Sequence, residues 1–75
     1  MLNRYNFKDI FGINSKTGDI FPLFNMMVNG QYFVQYFSIP RGLAFGGIDI
    51  YRFVGRSFTG YWNNTNKVLT IAGVI

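Results

Sequence analysis

The chain has 75 residues, seven Lys/Arg against three Asp/Glu for a net charge of +4, and neither cysteine nor histidine. Those absences exclude disulfides, thiolate metal sites and the histidine chemistry of most zinc centres and general bases. The composition is 49% hydrophobic and 20% aromatic but only 13% charged, against roughly 25% charged in ordinary soluble domains.

Residues 1–75 are read as one small domain, near the size at which a single core is marginal. Oligomerisation is the staple left to it, because nine Phe, five Tyr and a Trp exceed what so short a chain can hide. A homodimer or larger assembly is therefore expected. The basic balance favours an anionic partner. No apolar run approaches the roughly 18 residues of a membrane span, and the first residues lack the apolar core of a signal peptide. A cytoplasmic location, with no membrane partner, is the expectation.

In chain order, Asn6-Phe7-Lys8-Asp9-Ile10-Phe11-Gly12 reads as a single helical turn over about 6–11. Asn6 serves as N-cap, Asp9 suits the N-terminal end, and Gly12 is placed to stop it. Asn14-Ser15-Lys16-Thr17-Gly18-Asp19 is a polar turn. Residues 20–28 and 31–37 form the clearest element, a hairpin about Asn29-Gly30, the pair that suits a type I′ turn. Its register pairs Val28 with Gln31, Met27 with Tyr32, Met26 with Phe33 and Phe24 with Gln35. One face then carries Phe24, Met26, Val28, Phe33 and Phe37; the other carries Phe21, Leu23, Met27, Tyr32, Val34 and Tyr36. Both are apolar, so both need covers, and a second copy of the chain is the simplest second cover. A hairpin curled into a small barrel with half-exposed aromatics is the alternative. Pro22 marks an edge or a strand start.

Residues 40–56 hold four of the nine glycines and three of the seven basic residues. Asp49 is a plausible N-cap for a second helical turn, within 49–54, that Gly55 ends. Ile50, Phe53 and Val54 would face inward, and Tyr51 and Arg52 outward beside Arg56. A strand over 48–54 competes with this reading. Residues 57–62 and 67–72 form a closing hairpin about Asn63-Asn64-Thr65-Asn66. Its last strand is apolar on both faces, hence central or interfacial, and ends on a docked Val74-Ile75. The fold expected is mainly β: a small antiparallel sheet or partly open barrel built from two hairpins, about 20–37 and 57–74.

The run Phe45-Gly46-Gly47-Ile48-Asp49, with Phe53-Val54-Gly55-Arg56 and Ile71-Ala72-Gly73-Val74-Ile75, resembles small β-rich proteins of bacteriophages and mobile elements. The resemblance spans about half the chain and brings no activity with it. It implies a phage-type accessory protein, working in the host cell cytoplasm.

Catalysis is not expected, since three Asp occupy turn and cap positions and Ser15, Ser38 and Ser57 have no histidine base. The leading expectation is a non-enzymatic binder of a phosphorylated, cyclic nucleotide, a sponge for a defence signal. Glycines permit the positive φ of an anion-binding nest, and arginine forks suit phosphate. The ligand-binding set is Arg41, Gly42, Phe45, Gly46, Gly47, Tyr51, Arg52 and Arg56, with Phe45, Tyr51 or Trp62 stacking on a base. A glycine-rich corner between strands explains the same residues without a ligand. The alternative function is a protein-interaction or structural role through the apolar hairpin face, as inhibitor of a host protein or component of a particle. Single-stranded nucleic-acid binding ranks third, because no dense basic stripe is present. No cofactor or metal is expected.

Overall fold

A computed structural model describes residues 2–44 and 46–75. Among the described residues, seven strands and two short helical turns follow one another as β1 (Asn3–Asn6), α1 (Phe7–Ile10), β2 (Phe11–Ile13), β3 (Ile20–Pro22), β4 (Asn25–Val28), β5 (Gln31–Phe33), a 3₁₀ helix (Ile50–Phe53), β6 (Ser57–Asn63) and β7 (Val68–Val74). Five strands form one sheet in the order β1-β6-β7-β4-β5, and β2-β3 form a second, two-stranded sheet. The fold is mainly β, as expected, and the sheet stays open rather than closing into a barrel. The two hairpins meet through a parallel pair, β4 with β7, so the five-stranded sheet is mixed.

The first hairpin has the expected turn and inner register. Asn29 (φ 49°) and Gly30 (φ 82°) both take positive φ, as a type I′ turn demands. Met26 pairs with Phe33, Met27 with Tyr32 and Val28 with Gln31. The fourth pair is different: Phe24 and Gln35 lie outside the ladder. The chain bends at Leu23 and Phe24, so 20–28 is two strands, and β5 stops at Phe33. Side chains replace the missing rungs, with Gln35 N–H donating to Asn25 Oδ1 at 2.8 Å and Gln35 Nε2 donating to Leu23 O at 2.9 Å. Pro22 ends β3, in the two-stranded sheet, where a missing N–H is tolerated.

Helix α1 is the expected single turn, with Asn6 N–H donating to Asp9 Oδ2 at 3.3 Å. Gly12 does not stop it. Phe11 already has extended backbone and starts β2, and Gly12 is a strand residue there. Its lack of a side chain makes room for a ring: a Cβ on Gly12 would lie 2.5 Å from Phe21 Cζ.

β7 lies between β6 and β4, the central place that its two apolar faces suggested. The β6–β7 turn is held by Asn63 Oδ1, which accepts from Thr65 N–H at 2.9 Å. The core gathers Phe7, Ile10, Phe11, Ile20, Met26, Val28, Ile39, Ile50, Phe58, Leu69 and Ile71. Phe7 and Phe11 stack with centroids 4.9 Å apart, and Phe58 meets both Phe11 and Phe53. A fully buried side chain such as Met26 contributes about 1.5–3 kcal/mol relative to exposure.

The 3₁₀ helix has Asp49 as its cap, accepting from Tyr51 N–H at 3.2 Å. Ile50 is buried and Phe53 half-buried, but Val54 is exposed, against the expectation that it faces inward. The cause is geometric. A 3₁₀ helix has three residues per turn, so i and i+3 share a face and i+4 rotates away. Tyr51 also departs from expectation by turning inward, where its hydroxyl finds partners.

Candidate functional site

The glycine-rich segment is fastened to the first hairpin through Gly46. Its N–H donates to Gln31 Oε1 at 3.0 Å, and its C=O accepts from Asn29 Nδ2 at 2.5 Å. A Cβ on Gly46, whose φ is +60°, would stand 2.3 Å from Val28 Cγ1. Gly46 is thus a close-packing residue whose backbone groups are both engaged within the chain. Gly42 (φ +91°) and Gly47 (φ +85°) differ, since a Cβ on either would have nothing within 4 Å. Both line an open cleft of about 180 Å³ with Leu43, Ala44, Ile48 and Asp49. Asp49 gives that cleft a negative charge. Phe45, expected to stack on a base, lies outside the described residues.

The three arginines of residues 40–56 occupy separate settings. Arg41 lies over the Tyr51 ring, its guanidinium carbon 4.3 Å from the centroid. Tyr51 is anchored on its far side, its hydroxyl accepting from Ile20 N–H at 3.0 Å and donating to Ile39 O. Arg52 pairs loosely with Asp49 at 3.9 Å, both side chains well exposed; pairs of this kind contribute about 0–1 kcal/mol. Arg56 Nε donates to Ile75 O at 3.0 Å, and its guanidinium sits 5.7 Å from the Phe53 centroid. Of the expected site residues, Arg41 and Tyr51 are in direct contact, and Gly42 and Gly47 share the neighbouring cleft with the cap residue Asp49. Arg56 is tied to the chain's last strand end and Arg52 to the cap. Trp62 packs edge-on against Phe24, with centroids 5.5 Å apart.

A second surface lies along β5, the last strand of the five-stranded sheet. In a two-residue hairpin, Val28–Gln31 and Met26–Phe33 exchange hydrogen bonds, while the N–H and C=O of Tyr32 point out from the edge. A groove of about 400 Å³ runs there, lined by Tyr32, Phe33, Val34, Phe37 and Leu43 without a charged residue. Tyr32, Val34, Phe37 and Leu43 are exposed, Tyr32 the most at 54%. The sheet register continues from Tyr32 through Met27 and Thr70 to Tyr61, one residue per strand on one face. At about 4.8 Å per strand, that row is about 14 Å long. The expected hairpin put Phe33 and Phe37 on one face and Tyr32 and Val34 on the other, whereas all four line this one groove; Leu43 and Tyr61 were not singled out, because long-range contacts bring them in.

Among the described residues no group of three or more acidic side chains could hold a metal ion, and no helix is long and apolar enough to cross a membrane. No protein-family model, curated protein or solved structure matches the chain.

Proposed function

We propose that this chain is a non-enzymatic interaction protein that acts as a homo-oligomer, with the β5 edge as its interface. The groove of Tyr32, Phe33, Val34, Phe37 and Leu43 carries the reading. It joins the last strand of the sheet, an edge among the described residues, to an uncharged apolar lining, and a strand edge is a template for another strand. A second copy suits it better than an anionic partner, because the lining offers no cation. It also suits self-pairing in a chain of net charge +4, since no two like charges need meet at the groove. Sedimentation velocity tests it: a dimer or larger species is expected for the wild type, and a monomer for Val34→Lys.

A phosphorylated nucleotide bound at the glycine-rich segment is a second reading, with a sponge-like role. The Arg41–Tyr51 pair beside open Gly42 and Gly47 favours it, as a cation and an aromatic ring next to exposed backbone. Asp49 in the same cleft and the engaged Gly46 backbone count against it. Calorimetric titration with cyclic di- and trinucleotides tests this one, with binding that Arg41→Ala weakens as the expected result.

A further inference from the structure

A larger groove than the one at β5 lies elsewhere, beside α1. About 520 Å³ is lined by Asn6, Phe7, Lys8, Phe11, Ile13, Val54 and Gly55, within the range of about 300–1,000 Å³ that small-molecule clefts occupy. Phe7 and Phe11 are stacked against each other and nearly fully buried, so they form a firm floor. Ile13 and Val54, 51% and 49% exposed, are the walls. Neither is needed to fill the core, and each leaves apolar surface facing the groove.

Lys8 is the one charged residue of the lining. Its ammonium has no hydrogen-bond or ion-pair partner among the described residues. The nearest acid in sequence, Asp9, is engaged by Asn6 N–H and lines a different cleft, with Tyr5, Ile10, Phe24, Trp62 and Leu69. Asn6 adds a carboxamide at the groove, its Oδ1 accepting from Ser57 Oγ–H at 3.1 Å. An apolar trough with an unneutralised cation in its wall complements a molecule that has an apolar tail and an anionic head.

We propose that this groove binds a single-tailed amphiphilic anion, such as a medium-chain carboxylate, with the tail between Ile13 and Val54 over the Phe7–Phe11 floor and the head at Lys8. It shares no lining residue with the β5-edge groove, so the two proposals stand or fall separately. Each methylene that enters the groove should tighten binding about fourfold, until the trough is full.

The test is calorimetric titration of the full chain with hexanoate, octanoate and decanoate, and with decyltrimethylammonium as a tail-matched cation. Affinity should rise along the carboxylate series, and the cation should bind at least about tenfold more weakly than decanoate. Lys8→Gln should remove most of that preference, and Lys8→Glu should reverse it. Ile13→Asp, at an exposed position, should weaken binding of every carboxylate. Circular dichroism confirms that each variant is folded. Absence of decanoate binding, equal affinity for anion and cation, or decanoate binding unchanged in Ile13→Asp would overturn the proposal. Vesicles of phosphatidylcholine and phosphatidylglycerol provide the other source of anionic amphiphile. Cosedimentation that depends on Lys8 and Ile13, without binding of free decanoate, would replace the free ligand with a membrane surface and overturn it too.

Discussion

The Tyr51 hydroxyl accepts the backbone N–H of Ile20 at 3.0 Å while donating to the carbonyl of Ile39. Ile20 and Ile39 are themselves bonded, Ile39 N–H to Ile20 O at 2.8 Å, in an isolated bridge. One side chain from the 3₁₀ helix thereby closes the polar groups of two buried backbone segments, and Arg41 covers the ring from outside.

Tyr51→Phe should therefore destabilise the fold although it removes a single atom. It leaves one N–H and one C=O in a partly buried place without this partner, at a cost of about 1–3 kcal/mol. In a domain of this size each kcal/mol lowers Tm by about 4–8 °C. Arg41→Ala loses only the stack over the ring, worth about 0.5–1 kcal/mol at an exposed site, and should melt closer to wild type. Thermal melts of the two variants check the order. Equal Tm values would mean that the hydroxyl bonds contribute nothing net.

Gly30→Val puts a β-branched side chain at φ 82° in the first hairpin turn. Space is not the difficulty, since nothing lies within 4 Å of the added Cβ. The backbone itself is, and such strain costs about 1–3 kcal/mol. Gly30→Asn should recover part of the loss, because Asn tolerates the left-handed region better than other side chains. A melt in which Val and Asn behave alike would remove the turn as the device that sets the register.

Both hairpins were legible because their signals are local: Asn29-Gly30 with two positive φ angles, and the asparagine cluster that closes β6–β7. β1 was not. Asn3-Arg4-Tyr5-Asn6 has no apolar alternation, and it is a strand because β6, more than fifty residues on, supplies its partners, Asn3 to Gly60 through Asn6 to Ser57. The parallel β4–β7 pair was hidden for the same reason. Loop closure over such distances leaves no mark in a short window of sequence. In the candidate site, Tyr51 was assigned outward because helical periodicity ignores what a hydroxyl can bond to, and Val54 inward because a period of 3.6 was applied where the chain uses 3. The arginines were grouped by nearness in sequence, whereas Arg56 is bound to Ile75.

That placement separates the three arginines in a melt. Arg56→Ala removes a charge-assisted bond to Ile75 O and the cover on Phe53, and should cost about 1.5 kcal/mol, the low end of the range for bonds to charged groups because the bond is exposed. Arg52→Ala loses only the loose pair with Asp49 and should stay within about 0.5 kcal/mol of wild type. If a cyclic nucleotide binds, Arg41→Ala should weaken it at least about tenfold, as expected when one charge-assisted bond to phosphate is lost. Arg56→Ala should weaken it less. Equal weakening by both would place them in one site after all.

The assembly prediction rests on the β5 edge. Val34 is 45% exposed and lies just beyond the strand, so a substitution there leaves the core and the turn untouched. Val34→Lys puts a cation into a groove that has none. In a symmetric pairing the two-fold axis brings in a second lysine, so a desolvated charge and a like-charge contact arise together. The dimer should weaken by at least about a hundredfold while the monomer keeps the Tm of a folded domain. Thr59→Lys, a half-buried residue on β6 away from the groove, is the control and should leave the dimer constant within a few-fold. The measurement is sedimentation velocity over a concentration series, with the interface expected to bury at least about 1,000 Å² in total. A wild type that sediments as 8.6 kDa at every concentration sinks the assembly outright. A dimer indifferent to Val34→Lys but broken by Thr59→Lys moves the interface from the strand edge to the sheet face, where Tyr61, Thr70, Met27 and Tyr32 form their row.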